Sequence, residues 1–312
     1  MQLLLIGCTG FVGRALVPHL LQRGHTLTLL SRRSSPLPAL AGAPGLTLLQ
    51  GDPAQAATWQ DPALLAALAA ADGVVNLAGE PIAEQRWTPE HRRRLHDSRV
   101  RSTALLVAAL QALPTPPSVL VNGSAIGVYG TSEDDSFVEA SPAGEDVLGA
   151  LCLAWEAAAD QAPAATRVVR LRTGIVLAAD GGALGKMLPI FRAGFGGPIG
   201  NGRQWMSWIH RDDLVAIVVA ALEDPAFRGV YNAVAPAPAT MAQFCAALGR
   251  TLGRPSLLPV PGPLLQLLLG DGAQVVLKGQ RVLPEHLQQQ GFSFRYPELS
   301  AALAAATSPG SR

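Results

Sequence analysis

Three glycines near the start of the chain indicate the first chemistry that it could perform. The run Gly7-Cys8-Thr9-Gly10-Phe11-Val12-Gly13 follows an apolar segment and opens a helical pattern. Glycines at this spacing permit a tight turn and let a pyrophosphate approach the backbone at a helix N-terminus. We therefore predict a dinucleotide-binding turn, with a purely structural strand-to-helix turn as the alternative. Its predicted contact residues are Gly7, Thr9, Gly10, Phe11, Val12 and Gly13.

The next apolar run ends in Ser31-Arg32-Arg33, which indicates the type of dinucleotide. An acidic residue at this point would bind a ribose 2′-hydroxyl, whereas arginine accommodates a 2′-phosphate. Two arginines and a hydroxyl therefore favour NADP(H) over NAD as the cofactor. An ordinary solvated arginine pair is the alternative.

The elements that position these residues follow from hydrophobic periodicity. Predicted strands lie at 3–6, 26–30, 46–49, 73–76, 118–122, 167–172 and 230–233. Predicted helices lie near 12–23, 62–71, 98–112, 147–161, 187–192, 212–222, 241–252, 262–269 and 297–306. Apolar strands without polar alternation, separated by helices, indicate a parallel sheet that is covered on both faces. The predicted fold class is a doubly wound α/β protein with a smaller C-terminal substrate domain.

A change in the sequence pattern after Gly174 suggests the domain organisation. We expect a Rossmann domain over 1–177, to which 203–235 returns, because apolar strands and helices alternate there. The Gly- and Pro-rich segment 178–202 and the Pro-punctuated segment 236–312 are assigned to the smaller domain.

Composition excludes several classes of function. The 312 residues are 49% hydrophobic and 15% charged, which argues against disorder. A net charge of +1 gives no overall field to recruit nucleic acid or an anionic membrane, so we expect neither partner. Three scattered cysteines predict neither a disulfide framework nor a metal cluster. Without a recognisable signal peptide or membrane span, a soluble cytoplasmic protein is expected.

Several later segments resemble a known family. Asn76-Leu77-Ala78-Gly79, the run from Ser124 to Gly130 and the run from Trp208 to Leu214 resemble an extended or atypical short-chain dehydrogenase/reductase. Four stretches more closely resemble the epimerase family subgroup of the SDR39U type, which carries a small C-terminal domain of unknown role. They are 76–80 with 86–87 and 98–99, then 181–187, 196–205 and 253–297. The resemblance covers essentially the whole chain. It implies a Rossmann domain that binds NADP and a substrate cleft beside the C-terminal part.

The resemblance also implies further cofactor contacts and a partner. Ser31, Arg32, Asp52, Leu77, Ala78 and Arg99 match cofactor contacts of the family, and Arg33 and Gly79, which adjoin them, complete the predicted set in addition to the glycine turn. Asp52 resembles an acidic residue near the adenine, although it is also a plausible turn residue before Pro53. Dimerisation through the helices near 98–112 and 147–161 is common in the superfamily, so a homodimer is one expectation by analogy.

The chain departs from the family at its usual catalytic pair. Dehydrogenases of this superfamily use Tyr-x-x-x-Lys, but the residues four places after Tyr129, Tyr231 and Tyr296 are not lysines. Alignment on Glu156 puts Leu148 at the Tyr position and Cys152 at the Lys position. General acid–base groups contribute roughly 10²- to 10⁴-fold to a rate, so ordinary alcohol oxidation or sugar epimerisation is in doubt.

Other polar and aromatic residues are candidates for the missing roles. Tyr129, Ser124 and His210 are candidate catalytic groups, with a packed ring for Tyr129 and an inter-domain hydrogen bond for His210 as alternatives. His210 precedes a helix that Asp212 or Asp213 could cap. The candidate substrate residues are Glu80, Trp205 and Trp208, each of which could equally be structural.

Two functions remain open at this stage. The first is an NADP(H)-dependent oxidoreductase or epimerase-like enzyme that acts on an unknown small molecule. The second is a catalytically weak or inactive NADPH-binding protein that regulates an interaction.

Cys152 could act as a nucleophile only with a lowered pKa; otherwise it is a small buried side chain.

Overall fold

The structure of the protein is a computed structural model that describes residues 1–34, 37, 40 and 42–308. The strands are β1 (Gln2–Ile6), β2 (Thr26–Ser31), β3 (Leu46–Gln50), β4 (Gly73–Asn76), β5 (Val119–Ala125), β6 (Ser136–Phe137), β7 (Arg167–Thr173), β8 (Ile175–Leu177), β9 (Trp205–Met206), β10 (Trp208–His210), β11 (Gly229–Ala233), β12 (Ala239–Thr240) and β13 (Arg281–Val282). The α-helices are α1 (Gly13–Gln22), α2 (Pro62–Ala69), α3 (Pro89–His96), α4 (Ser102–Gln111), α5 (Val147–Asp160), α6 (Gly182–Arg192), α7 (Arg211–Glu223), α8 (Met241–Leu252), α9 (Gly262–Leu269), α10 (Gln274–Leu277), α11 (Glu285–Gln289) and α12 (Leu299–Thr307).

A seven-stranded sheet forms the centre of the molecule. Its strand order is β11-β7-β5-β4-β1-β2-β3, and every neighbouring pair is parallel. The chain winds outward from β1 in one direction through β2 and β3, and in the other from β4 onward. The predicted doubly wound parallel sheet is therefore confirmed. In such a sheet, ligands bind at the carboxyl ends of the strands where the winding reverses, which here is between β1 and β4.

Both faces of the sheet are covered, which explains why its strands are apolar on both sides. On one face, Leu16 and Leu20 of α1 pack with Leu214 and Leu222 of α7. On the other, α2 and α4 bury leucines such as Leu64 and Leu106. The two buried layers hold the strand ends rigidly, so residues just beyond those ends occupy fixed positions.

A second, smaller core lies beside the sheet. It is built from α6, α8 and α12 around two fully buried aromatic side chains, Trp208 and Phe244. A small C-terminal part is therefore present, as predicted. The boundaries proposed for the two domains stay a prediction.

The largest departure from the predicted elements is the helix expected at 98–112. The chain becomes helical already at Pro89, because Thr88 caps α3 by accepting a hydrogen bond from His91 N at 3.1 Å. A π-helical turn, Asp97–Arg101, then joins α3 to α4. Such turns are rare and frequently occur at functional sites.

Candidate functional site

The predicted glycine turn joins β1 to α1 at the reversal point of the sheet. Gly7 has a φ of +72°, and a Cβ on it would overlap the backbone of Ala78 at the end of β4. A Cβ on Gly13 would overlap the backbone of Cys8, whereas the same position on Gly10 faces open space. Glycine is thus required for packing at Gly7 and Gly13, and the open side at Gly10 leaves room for a pyrophosphate.

A groove of about 280 Å³ extends from this turn across the ends of β1, β2 and β4. We call it the dinucleotide groove. It brings together most of the predicted cofactor contacts, namely Gly7, Thr9, Gly10, Ser31, Arg32, Arg33, Asp52, Leu77, Ala78 and Gly79. These residues come from four separate segments of the chain, and their convergence on one surface fits an extended dinucleotide.

Two side chains at the β2 end of the groove have local roles. Ser31 Oγ accepts a hydrogen bond from Arg33 N at 3.0 Å. Asp52 Oδ1 accepts one from Ala54 N at 3.0 Å, which is the turn role that we considered as the alternative for Asp52. Asp52 also lines the groove, so the two roles are compatible.

Arg32 is paired with Glu80 across the groove. Its guanidinium lies 3.6 Å from Glu80 Oε2, and its side chain is 66% exposed. Glu80 was predicted to contact substrate, but it lines the dinucleotide groove instead. The Glu80 carboxylate faces the arginine at the β2 end, and its contact with a substrate stays a prediction.

Two residues of the π-helical turn form hydrogen bonds with the backbone of Glu80. Glu80 N donates to Ser98 Oγ at 2.9 Å, and Arg99 Nη2 donates to Glu80 O at 2.9 Å. Arg99 therefore lies behind the loop after β4, and a Cβ on Gly79 would be 3.0 Å from its Nη2. Arg99 does not line the dinucleotide groove; it lines a second cavity described next.

The remaining predicted contacts of the glycine turn also lie off the groove. The guanidinium of Arg211 lies over the Phe11 ring, with its Cζ 5.2 Å from the ring centroid. The Phe11 ring also packs closely on Gly181 and Gly182 at the start of α6. Val12 packs against the core on the α1 face. Their side chains connect the turn to the rest of the molecule.

A second cavity, of about 250 Å³, lies at the carboxyl ends of β5 and β7. We call it the apolar cavity. Its wall comes from the loop after β5, from α5, and from the C-terminal segment 274–280. Leu148 and Cys152 both line it, together with Ala125. Leu148 and Cys152 are the two positions to which the alignment on Glu156 assigns the Tyr and Lys of the family pattern.

The Cys152 thiol is not activated. Burial raises the pKa of Cys152 to about 12, with the Glu156 carboxylate adding to this effect and Arg99 opposing it. The thiol is therefore neutral near pH 7, as in a small buried side chain rather than in a nucleophile.

Tyr129 and Ser124, two predicted catalytic residues, point into a buried polar network instead of the cavity. Tyr129 OH donates to Asn232 Oδ1 at 2.7 Å and accepts from Arg172 Nη1 at 2.9 Å. Ser124 Oγ donates to Glu156 Oε1 at 2.6 Å. Burial also raises the pKa of Tyr129, so its hydroxyl stays protonated. This placement argues against the predicted catalytic role of both hydroxyls.

His210, the third predicted catalytic residue, caps α7. Its Nδ1 accepts a hydrogen bond from Asp212 N at 3.1 Å, and its ring packs on that of Tyr296 at 4.1 Å. Burial lowers the pKa of His210, which keeps Nδ1 free to accept. The predicted cap by an aspartate is therefore wrong. Asp213 instead accepts from the backbone of Arg295 and Tyr296, which ties the C-terminal segment to α7.

The two predicted substrate tryptophans differ in position. Trp208 is fully buried in the second core, and its Nε1 donates to Ala237 O at 3.0 Å. The expectation that Trp208 contacts substrate is therefore not supported by its location. Trp205 does line the apolar cavity, and its Nε1 donates to Glu133 O at 2.7 Å.

Several residues of the apolar cavity were missed by sequence reasoning. They are Ile82, Leu151, Gln274, Val275 and Lys278. Gln274, Val275 and Lys278 belong to a C-terminal segment without a recognisable motif. The one signal available was that Lys278 is one of only two lysines in the chain.

The parallel sheet, its strand order and the glycine turn at the reversal point define a Rossmann-type dinucleotide-binding fold. The chain matches the NAD dependent epimerase/dehydratase family over residues 3–234, and it belongs to that family. Residues 260–306 match a domain of unknown function, DUF1731. The predicted family membership is thus confirmed.

The chain is similar to three proteins along nearly its whole length. The epimerase family protein SDR39U1 homolog, chloroplastic, of Arabidopsis thaliana is 42% identical over 96% of this chain and 84% of its own. The crystal structure of human epimerase family protein SDR39U1 (isoform 2) with NADPH is 38% identical, with a TM-score of 0.85 over 98% of this chain and 99% of that one. A nucleoside-diphosphate sugar epimerase from Corynebacterium glutamicum is 32% identical, with a TM-score of 0.73 over 97% of this chain and 57% of that one.

One structural observation concerns membranes. Among the described residues, no helix is both long and apolar enough to cross a bilayer. The Arabidopsis relative is a chloroplastic protein by its name, and this location is that relative's own. A cytoplasmic location of this chain stays a prediction.

Proposed function

We propose that this chain is an NADP(H)-dependent oxidoreductase of the epimerase type that acts on a small molecule in the apolar cavity. The observation that carries the proposal is the convergence of predicted cofactor contacts from four segments on the dinucleotide groove. The human relative that was crystallised with NADPH supports the choice of cofactor. Bound NADPH would supply a hydride.

Arg32 and Arg33 are proposed to bind the 2′-phosphate, and the N-terminus of α1 is proposed to bind the pyrophosphate. The two arginines follow β2 and line the groove. They stand where an acidic residue would favour NAD. Glu80 lies 3.6 Å from Arg32, so a phosphate has to compete with this carboxylate for the guanidinium.

The apolar cavity is proposed to hold the substrate because it adjoins the groove. Gly79 lines the groove and Arg99 lines the cavity. The two residues are in contact, since a Cβ on Gly79 would be 3.0 Å from Arg99 Nη2. A substrate in the cavity would therefore lie next to the cofactor. Leu148, Leu151 and Ile82 would exclude water from its surroundings.

A second candidate function is an NADPH-binding protein with little catalysis. The observation that favours it is the composition of the cavity wall. Its ionisable side chains are Arg99, Asp146, Cys152 and Lys278, without tyrosine, histidine or glutamate. Of these four, the Cys152 thiol is neutral near pH 7, because burial raises its pKa to about 12. A crystal structure with NADPH separates the two candidates: an enzyme requires the nicotinamide edge to be open to the cavity, whereas a ring sealed by Leu148 favours a sensor.

Cofactor specificity tests the main proposal. We expect the double change Arg32→Ala and Arg33→Ala to weaken NADPH binding about 10-fold or more, because each arginine can give a charge-assisted hydrogen bond to the phosphate. NADH binding should change little. Isothermal titration calorimetry with both cofactors measures the difference.

A matched control uses another adjacent arginine pair. Arg93 and Arg94 are both exposed on α3 and lie off the dinucleotide groove. Replacing both with alanine should leave the two affinities unchanged. An equal loss for NADPH and NADH in the Arg32/Arg33 variant would contradict the assignment of the 2′-phosphate site.

A further inference from the structure

The wall of the apolar cavity carries more positive than negative charges. Arg99 and Lys278 are cations, and Asp146 is the one carboxylate among the lining residues. Asp146 is committed to the N-terminus of α5, where its Oδ1 accepts a hydrogen bond from Gly149 N at 2.8 Å. The positive end of the helix dipole offsets its charge there. The two cations therefore give the cavity a net positive character.

Arg99 is a buried cation held only by neutral acceptors. Its side chain donates to Leu95 O at 3.3 Å, to Ser98 Oγ at 3.4 Å and to Glu80 O at 2.9 Å, and it lies over the Trp155 ring. Arg99 is 8% exposed, and across the described part of the chain no carboxylate oxygen lies within 4.0 Å of it. Burial lowers its pKa, with weaker opposition from Cys152 and Glu80. Buried charges are usually paired, so this guanidinium lacks its expected anion.

Lys278 is an exposed cation on the opposite, C-terminal wall. The only other lysine in the sequence, Lys186, pairs with Glu84 at 3.2 Å. Lys278 has no such partner among residues 1–34, 37, 40 and 42–308. The cavity thus has one buried and one accessible cation facing an otherwise mainly apolar wall.

We propose that the apolar cavity selects a small molecule with an apolar body and an anionic group, such as a carboxylate, which Arg99 and Lys278 bind. The apolar body packs against Ile82, Leu148, Leu151 and Val275. At about 250 Å³, the cavity is smaller than the roughly 300–1,000 Å³ typical of ligand pockets, which restricts the ligand to a compact molecule. The inference rests on the proposed function only in treating this cavity as the substrate site.

Matched probes that differ only in charge test the proposal. We suggest carboxylates and their carboxamides with aryl or alkyl bodies, of which trans-cinnamate and trans-cinnamamide are one pair. Binding is measured by calorimetry on the full chain, with and without NADP⁺. A charge-assisted hydrogen bond predicts about 10-fold tighter binding of the acid in the best pair.

Two lysine variants identify the contributing charge. Lys278→Gln should reduce the preference for the acid several-fold, because it removes the accessible cation. Lys186→Gln removes an exposed lysine that does not line the cavity, so it should leave the preference unchanged. Arg99→Met should abolish most of the preference. Since Arg99 is buried and this variant could fail to fold, Lys278→Gln is the decisive comparison.

The outcomes separate this inference from the proposed function. Equal affinity for acid and amide, or no binding of any pair at millimolar concentration, would overturn the proposed substrate class while NADPH binding could persist. Competition between the acids and NADP⁺ would also overturn it, because the cations would then belong to the cofactor site. Loss of NADPH binding with a retained acid preference would refute the proposed function alone.

Discussion

Arg172 on β7 joins the two predicted catalytic hydroxyls to the sheet, so its removal tests whether their network is structural. Its Nε and Nη2 donate to the two carboxylate oxygens of Glu156, each at 2.8 Å. Its Nη1 donates to Tyr129 OH at 2.9 Å and to Glu139 O at 3.1 Å. The Glu156 side chain is only 5% exposed, so this bidentate pair is buried.

Arg172→Met should destabilise the protein by about 3–5 kcal/mol near pH 7. The change keeps an apolar side chain but leaves a buried carboxylate without its main partner, and breaking such pairs costs this amount. Tyr129→Phe should cost less, about 1–3 kcal/mol, because it leaves one buried acceptor, Asn232 Oδ1, without its donor. Both losses are large against a total stability of roughly 5–15 kcal/mol.

The destabilisation by Arg172→Met should also depend on pH. Burial acts to raise the pKa of Glu156, but hydrogen bonds from Arg172 and Ser124 outweigh it, and the pKa lies below the ordinary 4.5. In the wild type, the stabilisation is therefore present above about pH 4.5 and is lost as pH falls through the lower folded pKa. In the variant, the uncompensated carboxylate should titrate above 4.5, so protonation relieves the penalty in acid. The difference between the two proteins should shrink as pH falls.

Equilibrium unfolding in urea measures these free energies. Arg170→Met is the matched control, since Arg170 lies two residues away on β7, is 21% exposed and binds the half-exposed Asp160 at 2.7 Å, while its distance to Glu156 Oε2 is 3.9 Å, against 2.8 Å for Arg172. It should cost no more than about 1 kcal/mol. Adding Glu156→Gln to Arg172→Met should recover part of the loss. A loss in Arg172→Met no larger than that in Arg170→Met would refute the reasoning.

Two further predictions concern the cap of α7 and the glycine turn. Because burial lowers the pKa of His210, stability should fall as pH drops below about 6.5, where the unfolded histidine takes up a proton. His210→Asn keeps a capping acceptor without titration, so its unfolding midpoint should vary less between neutral and mildly acidic pH; an unchanged pH dependence would contradict this account. Gly7→Ala should weaken NADPH binding and lower the thermal midpoint more than Gly24→Ala does. Both glycines have positive φ, +72° and +80°, but only at Gly7 would the Cβ meet other backbone, so equal midpoints would disprove the role of that close approach.

The sheet could be predicted from the sequence because its determinants are local. Runs such as Leu3 to Ile6 are buried on both faces, and this run is followed by α1, which packs back onto the sheet. The π-helical turn after α3 could not be predicted in this way. Its geometry is stabilised by two hydrogen bonds with Glu80, which lies in a different loop: Ser98 Oγ accepts from Glu80 N, and Arg99 Nη2 donates to Glu80 O.

The same distinction applies to the site. The dinucleotide groove was predictable because its residues follow directly after strands whose ends share one edge of the sheet. The orientation of Tyr129 was not, since its hydroxyl is held by Arg172 on β7 and Asn232 on β11. Lys278 reaches the apolar cavity only through the packing of segment 274–280 against Trp205, where a Cβ on Gly279 would overlap the tryptophan backbone.

The distribution of polar groups around the apolar cavity links these observations to chemistry. Tyr129 and Ser124 have their polar atoms engaged in the Arg172 network, while Leu148 and Cys152 occupy the wall. These two hydroxyls therefore serve the Arg172 network, and the Tyr position of the family pattern, on α5, holds Leu148. The cations of the cavity, on Arg99 and Lys278, are suited to holding an anion. We therefore expect these two side chains to bind and orient an anionic ligand in the cavity.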